Sequence, residues 1–233
     1  KLCELNKTLD RDCTLDIITA KDKPGIQTYE RSAVFLMLKA FYDVAGSENV
    51  ERISVEYSIG PGLFIRAKGS FVLNQSLLDQ VGERMRLLVN QAIPIQKHSI
   101  STDDAVELFQ KNRMYDKSRL FEFRINSHVN IYSLDGFSDY FYGYMVPDTS
   151  YLKWFDLQLF QEGFVLLLPS QKNPHALAEF HPSVKVFQAL YDATLRSEKL
   201  GISNVAERNE TIASGGATQM SLTQEAMMEK QIG

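Results

Sequence analysis

Residues 29–44 have the sequence YERSAVFLMLKAFYDV, and this stretch decides the fold around it. Residues 33–38 are apolar at every position, so a helix through them is hydrophobic on nearly all sides. A helix of that kind lies inside a domain, where other elements cover most of its faces. Gly46 marks its end, because glycine readily adopts the backbone conformation that terminates helices. We therefore predict a central buried helix.

The segments that follow this helix predict strands and a second helix. Residues 51–73 alternate between apolar and polar side chains, as two or three strands do, with breaks at Gly60-Pro61-Gly62 and Gly69. Residues 75–92 instead place apolar side chains on one helical face: Leu78, Val81, Met85, Leu88, Val89 and Ala92. This face predicts an amphipathic helix that packs on a sheet.

A short helix follows, and its start is marked by a cap. Ser101 stands three residues before Asp104, a variant of the capping box that predicts a helix over residues 102–111. The acidic pair Asp103-Asp104 then lies in the first turn, where negative charge stabilises the helix dipole. Capping explains this pair better than catalysis does.

Residues 120–168 are predicted to be mainly strands. The evidence includes the alternation of Phe121, Phe123 and Ile125. The aromatic run from Tyr140 to Tyr144 has two interpretations: side chains that pack on both faces of a strand, or a platform on which nucleic-acid bases stack.

A hairpin closes this region. Gln161-Glu162-Gly163 predicts the turn between strands at residues 155–160 and 164–168. Neighbouring strands joined in this way are antiparallel. The mixture of helices and strands predicts an α+β fold, with an antiparallel sheet that carries helices on one face.

The two ends of the sequence differ from its middle. Residues 14–19 alternate with period two and predict the last strands of a domain that began earlier. Towards the other end, a helix is predicted from His181-Pro182 to Leu200, with shorter helices from Val205 and Thr218. We expect both ends to be cuts from a longer protein.

Composition limits the classes of partner. The net charge of −4 and the pI near 5.6 give no electrostatic reason to expect nucleic acid or an anionic membrane as the dominant partner. Cys3 and Cys13 could form one disulfide, but we expect two reduced thiols in a cytoplasmic protein. No apolar run approaches the roughly 20 residues of a membrane span.

Motifs that would supply chemistry are missing. Gly60-Pro61-Gly62 lacks the Lys-Ser/Thr of a phosphate-binding loop, and proline has no N–H to offer an anion. No Gly-x-Ser-x-Gly sequence marks a nucleophilic serine. The four histidines have no metal-ligand spacing; they are His98, His128, His175 and His181. The sequence therefore predicts no catalytic residue, no metal and no cofactor in this region.

Three stretches nevertheless carry a family resemblance. They are Arg31-Ser32-Ala33-Val34-Phe35, Ser58-Ile59-Gly60-Pro61 and residues 139–149, DYFYGYMVPDT. In order and spacing they look like the His-Ser-x-x-His, Ile-Gly-Pro and Asp-x-Cys-x-Gly-x-His-x-Pro segments of the second additional domain of threonyl-tRNA synthetases. That module is shared with alanyl-tRNA synthetases and hydrolyses mischarged tRNA. The resemblance covers about residues 25–168 and implies an editing-domain-like α+β fold.

The departures from the family pattern concern its site. In the family, three histidines and a cysteine form a set able to bind metal or transfer protons. Here those places hold Arg31, Phe35, Phe141 and Met145, while Asp139 matches the family. Arginine stays protonated near pH 7, phenylalanine can neither ligate nor transfer a proton, and methionine is a poor ligand for a hard or borderline metal. The resemblance therefore implies a degenerate site without editing activity.

A second resemblance concerns the whole chain. Its order looks like the N-terminal half of bacterial uridine kinase-like proteins, in which a P-loop nucleoside kinase domain follows. This implies three parts: a remnant of a TGS β-grasp domain at 1–20, the editing-like domain at 25–170, and a helical connector at 180–233. ATP and magnesium would then be needed only by the missing kinase domain, which would be this region's partner.

Three functional hypotheses follow from the sequence. The first is a non-catalytic regulatory or docking region of a uridine or nucleoside kinase, whose degenerate pocket is collapsed or adapted to a small ligand. The second is a tRNA-binding module that uses exposed cations: Lys39, Arg66, Lys68, Arg84 and Arg86. The third is a surviving hydrolase that uses Asp139 with a histidine such as His128.

Overall fold

A computed structural model of the chain describes residues 2–5, 7–112, 114–122, 127–199, 209, 211–216, 218, 221, 222 and 225. The main helices of the described residues are α1 (Lys23–Ala45), α2 (Gln75–Asn90), α3 (Thr102–Lys111), α4 (Tyr115–Glu122) and α5 (Val184–Lys199), with a 3₁₀ helix at Thr149–Tyr151. The strands are β1 (Val50–Ile59), β2 (Gly62–Gly69), β3 (Gln96–Ser101), β4 (His128–Leu134), β5 (Phe137–Tyr140), β6 (Asp156–Phe160) and β7 (Gly163–Leu167).

The central helix predicted from residues 29–44 is confirmed and begins earlier, at Lys23. Pro24 occupies its first turn, where the missing N–H of proline costs no helical hydrogen bond. Every side chain from Ser32 through Phe41 is buried. Gly46 ends the helix with a φ of 82°, a left-handed conformation that favours glycine.

Two sheets pack around α1. Four strands lie in the order β1-β2-β7-β6 and three in the order β3-β4-β5. The pairs β1/β2, β2/β7, β7/β6 and β4/β5 are antiparallel. Antiparallel sheets packed with helices confirm the α+β fold class, in an arrangement consistent with a synthetase editing-like domain.

One hydrophobic core joins these elements. It combines the buried face of α1 with the inner faces of α2, β2 and β7 and with side chains from β4. Every residue of β7 is buried, so this strand is covered on both faces. Phe41 stacks on Phe164 with ring centroids 5.8 Å apart, which fixes α1 against β7.

The polypeptide divides into two units. The first contains Lys1–Ile100 and Val129–Ser183, and the second contains Ser101–His128 and Val184–Gly233. In the second unit, α3 begins as predicted: the Ser101 side chain accepts a hydrogen bond from the Asp104 N–H at 3.0 Å. The domain boundaries proposed from the second resemblance stay predictions.

Several further elements are confirmed. The hairpin of β6 and β7 pairs Phe160 with Gly163 across the predicted turn, and β1 and β2 meet at the predicted Gly60-Pro61-Gly62 break. Helix α2 carries the predicted buried face, and α5 lies within the predicted 181–200 helix. In the part of the chain that the structure describes, no helix is long and apolar enough to span a membrane.

Three strand predictions are wrong in whole or in part. Residues 14–19 form no strand, and Ile17 is 83% exposed; in the described chain no neighbouring strand pairs with this segment. Phe121 lies in α4 rather than in a strand, where its ring stacks on Phe109 at 5.6 Å. The aromatic run is a strand only up to Tyr140, the last residue of β5.

Some predictions fall outside the described residues. Phe123, Ile125, the Gly201 cap and the start of the helix at Val205 belong to them. The helix predicted from Thr218 lies largely outside the described residues as well.

Candidate functional site

The positions that the resemblance predicts as a degenerate site lie where the first half of α1 meets the segment that follows β5. Arg31 and Phe35 are four residues apart on α1, so their side chains lie one turn apart on the same face. Residues 141–147 run past this face without regular structure and contribute Phe141 and Met145. The fold therefore gathers four of the five positions selected from the sequence.

Arg31 is held by the backbone that faces it. Its Nη1 donates a hydrogen bond to the carbonyl oxygen of Tyr144. Gly143 lies flat against the guanidinium with a φ of 117°, and a Cβ at this position would come within 2.7 Å of Arg31 Cζ. Only glycine fits this close approach without strain. The guanidinium stays protonated and has no atom that accepts a hydrogen bond, so it can anchor this loop but cannot act as a base.

The arginine also affects its neighbour on α1. Burial raises the pKa of the Glu30 carboxyl above its usual value, and the positive charge of Arg31 partly offsets that rise. Glu30 is half-buried at the edge of the core.

Phe35 and Phe141 turn the site into packed core. Phe35 is fully buried and contacts Phe141 edge-on, with ring centroids 5.4 Å apart. Phe137 of β5 is a second neighbour of Phe35, with ring centroids 5.7 Å apart. These ring contacts supply dispersion and burial around Phe35, and they leave no polar group beside it from these three side chains.

Met145 is buried beside Ser32. Ser32 directly follows Arg31 in α1. The Ser32 hydroxyl donates to the Thr28 carbonyl at 2.7 Å and accepts from the Val146 N–H at 3.0 Å. The Met145 sulfur lies 3.4 Å from the same hydroxyl. Ser32 therefore ties α1 to the segment after β5, and its hydroxyl proton is already engaged by the helix backbone.

Asp139 is fully buried, although it is charged in its ordinary form. It shares the face of β5 with Phe137, which packs on Phe35 and Tyr42 of α1, so its side chain points to the same side of the sheet. Oδ1 accepts a hydrogen bond from the Tyr140 N–H at 2.6 Å. Burial within the sheet keeps this carboxylate away from solvent.

His128, the partner suggested for Asp139, is exposed and contacts the neighbouring Ser127 hydroxyl at 3.1 Å. His98 contacts Ser133 at 2.8 Å, and His181 contacts Glu179 at 2.9 Å. Among the residues that the structure describes, no group of three or more His, Cys, Asp or Glu side chains could hold a metal ion.

The set of exposed cations predicted from the sequence needs correction. Lys39 is buried, not exposed, and its ammonium pairs with Asp43 at 2.9 Å. Arg84 also pairs with Asp43, at 2.8 Å, and Arg66 pairs with Glu56 at 2.8 Å. These three charges are neutralised by carboxylates within the fold.

Of the same set, only Lys68 and Arg86 are exposed. Arg86 borders an open cleft of about 290 Å³ between α2 and β6, lined in part by Asp79, Glu83 and Asp156. Three carboxylates therefore line the same cleft as that arginine.

A polar cluster beside Met145 was missed by the sequence analysis. Lys97 of β3 lies over the rings of Tyr132 and Tyr144, with its Nζ 5.6 and 5.4 Å from the ring centroids. Glu4 reaches the same place from the beginning of the chain. No sequence signal could have found this cluster, because its members come from four separate segments and share no spacing.

The chain is similar to threonine–tRNA ligases. It is 28% identical to the threonine–tRNA ligase of Thermotoga neapolitana over 178 residues, which cover 75% of this chain and 27% of the ligase. It is 26% identical to that of Staphylococcus aureus strain JH9 over 161 residues, which cover 67% of this chain and 24% of the ligase. The chain thus spans about a quarter of the length of these relatives.

No protein-family model matches the chain. The two ligases support the synthetase resemblance seen in the sequence. The uridine kinase resemblance draws no support from these relatives and stays a prediction.

Proposed function

We propose that this chain is a tRNA-binding module of the threonyl-tRNA synthetase type that does not hydrolyse aminoacyl esters. The observation that carries the proposal is the similarity to threonine–tRNA ligases over 67–75% of the chain. The antiparallel α+β fold is consistent with it. The proposal concerns this chain only, since the similarity covers about a quarter of each ligase.

The loss of hydrolysis follows from the side chains in the degenerate site. Ester hydrolysis needs a group that accepts a proton from water, or a metal that lowers the pKa of that water. Arg31, Phe35, Phe141 and Met145 can do neither. Asp139 could accept a proton, but it is fully buried on the inner side of β5.

The RNA contacts would be modest in number. Lys39, Arg66 and Arg84 are neutralised by carboxylates in the fold. Lys68 and Arg86 are the exposed members of the predicted set. Phosphate contacts of this kind weaken steeply as salt rises, with a change of about 0.7–0.9 in log K per log salt for each phosphate neutralised.

Filter binding of tRNA to the intact chain, repeated over a series of salt concentrations, tests the proposal. We expect retention at low salt, and we expect Lys68→Gln to reduce the salt slope by about 1. Lys172→Gln, an exposed lysine in the loop after β7, is the matched control and should leave the slope unchanged.

Two results would contradict the proposal in different ways. Absence of tRNA retention at the lowest salt contradicts RNA binding. Release of the amino acid from a mischarged tRNA, faster than in buffer alone, contradicts the loss of hydrolysis and revives Asp139 as a catalytic group.

A second candidate is the regulatory or docking region of a nucleoside kinase. The packing of Phe35, Phe141 and Met145 favours it, because a filled site serves a scaffold better than a ligand. On this hypothesis the gene encodes Gly-x-x-x-x-Gly-Lys-Ser/Thr within a few dozen codons after Gly233, and the full-length protein phosphorylates uridine with ATP and magnesium. A downstream sequence without that loop rules the kinase out.

A further inference from the structure

Glu4 lies in a small polar cleft and makes its contacts with side chains far away in sequence. Its Oε1 accepts a hydrogen bond from the Tyr132 hydroxyl at 2.7 Å and lies 3.5 Å from the Lys97 ammonium. The side chains of Glu4 and Lys97 are 19% and 28% exposed, so this ion pair is largely shielded from water. The tyrosine itself is buried and comes from the middle of β4.

The groups that hold the Glu4 carboxylate do not depend on it for their own contacts. The Tyr132 hydroxyl has a second acceptor, the Gly143 carbonyl, for its one proton. Lys97 also lies over the Tyr132 and Tyr144 rings, where a cation is attracted to the aromatic faces. If Glu4 left, no hydroxyl would be buried without a partner, and the ammonium would stay in place.

The segment that carries Glu4 is held mainly by polar contacts. Leu2 and Leu5 are 42% and 72% exposed, so little apolar surface is buried with it. A further contact of this segment is the hydrogen bond that the Tyr144 hydroxyl donates to the Leu2 carbonyl, at 2.9 Å. With Glu4 in place, the cleft keeps only about 10 Å³, room for about one water molecule.

We propose that the cleft lined by Lys97 and Tyr132, with the Tyr144 ring beside the lysine, is a binding site for a small oxyanion, and that Glu4 is a built-in occupant which an external ligand must displace. A carboxylate already occupies the site, so carboxylates fit its geometry, and phosphate shares the same chemistry of hydrogen-bond acceptors with negative charge. The guanidinium of Arg31 lies against Gly143, whose carbonyl accepts a hydrogen bond from the Tyr132 hydroxyl.

Competition between Glu4 and an external anion lowers the apparent affinity for that anion. A tethered carboxylate acts as a ligand at an effective concentration in the millimolar range. An external anion binds only the fraction of molecules in which Glu4 has left, and its apparent affinity falls by that fraction. If Glu4 fills the site in about nine molecules of ten, removing its side chain should raise the affinity for an external oxyanion about tenfold.

The test titrates acetate and inorganic phosphate, separately, into the intact chain and follows the backbone amide resonances of Lys97, Tyr132 and Tyr144. We expect weak binding to the wild type and about tenfold tighter binding to Glu4→Ala. Tighter binding of acetate identifies a carboxylate ligand, and tighter binding of phosphate identifies a phosphate ligand. Asp12→Ala removes the same charge from an exposed position in the same segment and should bind as the wild type does.

Two further variants locate the site. In the Glu4→Ala background, Lys97→Met or Tyr132→Phe should abolish the gain in anion affinity. Tyr132→Phe keeps the buried ring, so it can still be measured if the Lys97→Met variant fails to fold. Equal affinities in Glu4→Ala and wild type overturn the proposal. The proposal is also overturned if Asp12→Ala binds the anion as tightly as Glu4→Ala does. It is overturned as well if the tighter binding of Glu4→Ala persists after both Lys97→Met and Tyr132→Phe, because the gain in affinity would then reflect net charge alone.

Discussion

The synthetase resemblance predicts that Phe35 stands at a histidine position of the family site, and its ring contacts Phe137 and Phe141 at 5.7 and 5.4 Å. A histidine there would need a hydrogen-bond partner for each ring nitrogen, whereas a phenylalanine needs only close packing. Met145, another position selected by that resemblance, is buried beside Ser32. At the scale of single residues, both side chains contribute packing.

Phe35→Ala should therefore lower the free energy of unfolding by about 3–5 kcal/mol, the usual cost of truncating a buried phenylalanine. The loss arises from the apolar area returned to water and from the cavity left between the two neighbouring rings. Urea denaturation followed by circular dichroism measures it.

Tyr142→Ala provides the control for this substitution. Tyr142 lies next to Phe141, and it is 85% exposed, so its removal should cost less than about 0.5 kcal/mol. If the two variants lose equal stability, the rings around Phe35 are not tightly packed.

At the scale of secondary-structure elements, Tyr29 connects α1 to the segment before β6. Its hydroxyl donates to the Trp154 carbonyl at 2.8 Å and accepts from the Trp154 N–H at 2.8 Å. Burial raises the pKa of Tyr29 to about 12, and the hydrogen bond with the Trp154 backbone partly opposes the rise. The folded state thus favours the protonated phenol.

This shift makes stability depend on alkaline pH. An unfolded tyrosine loses its proton near pH 10, whereas the folded Tyr29 keeps it up to about pH 12. The contribution is fully present below about pH 10 and is lost as the pH rises through 12, since in that window the folded state binds more protons. We expect Tyr29→Phe to lose less stability than the wild type between pH 10 and 12.

The same variant also tests the connection at neutral pH. Without the hydroxyl, the Trp154 N–H and carbonyl lose this partner; because Trp154 is 41% exposed, water can replace it, and the loss should cost about 0.5–1.5 kcal/mol. Urea denaturation at several pH values measures both effects. Parallel stability profiles for the two proteins above pH 10 would show that Tyr29 does not titrate with folding. Burial raises the pKa of Tyr132 as well, so some alkaline loss should remain in the variant.

The elements also show how far a pattern can be trusted. Helices α1 and α2 and the hairpin of β6 and β7 follow their predictions, because each has a long apolar repeat or a clear turn. The strand predicted from Phe121, Phe123 and Ile125 fails at Phe121, which lies in α4. Residues 121 and 125 are four apart, a spacing that a helix shows as readily as a strand does.

At the scale of the whole molecule, charge is organised by ion pairs between distant segments. Arg84 of α2 contacts Asp43 of α1 at 2.8 Å and Asp135, between β4 and β5, at 3.7 Å. Lys39 joins the same group, 3.5 Å from Asp135. These pairs explain why cations that look available in the sequence offer little to a polyanion, and why the proposed RNA binding should be weak, with a small salt slope set by few phosphate contacts.

The sequence by itself determined the buried central helix, the antiparallel α+β class and the absence of proton-transfer groups at Arg31, Phe35, Phe141 and Met145. These conclusions follow from local spacing and from the chemistry of side chains, which do not depend on distant contacts. Only the tertiary structure decided which charges are neutralised and that Glu4 lies against Lys97 and Tyr132. An ion pair between segments is created by folding, so no pattern along the chain records it.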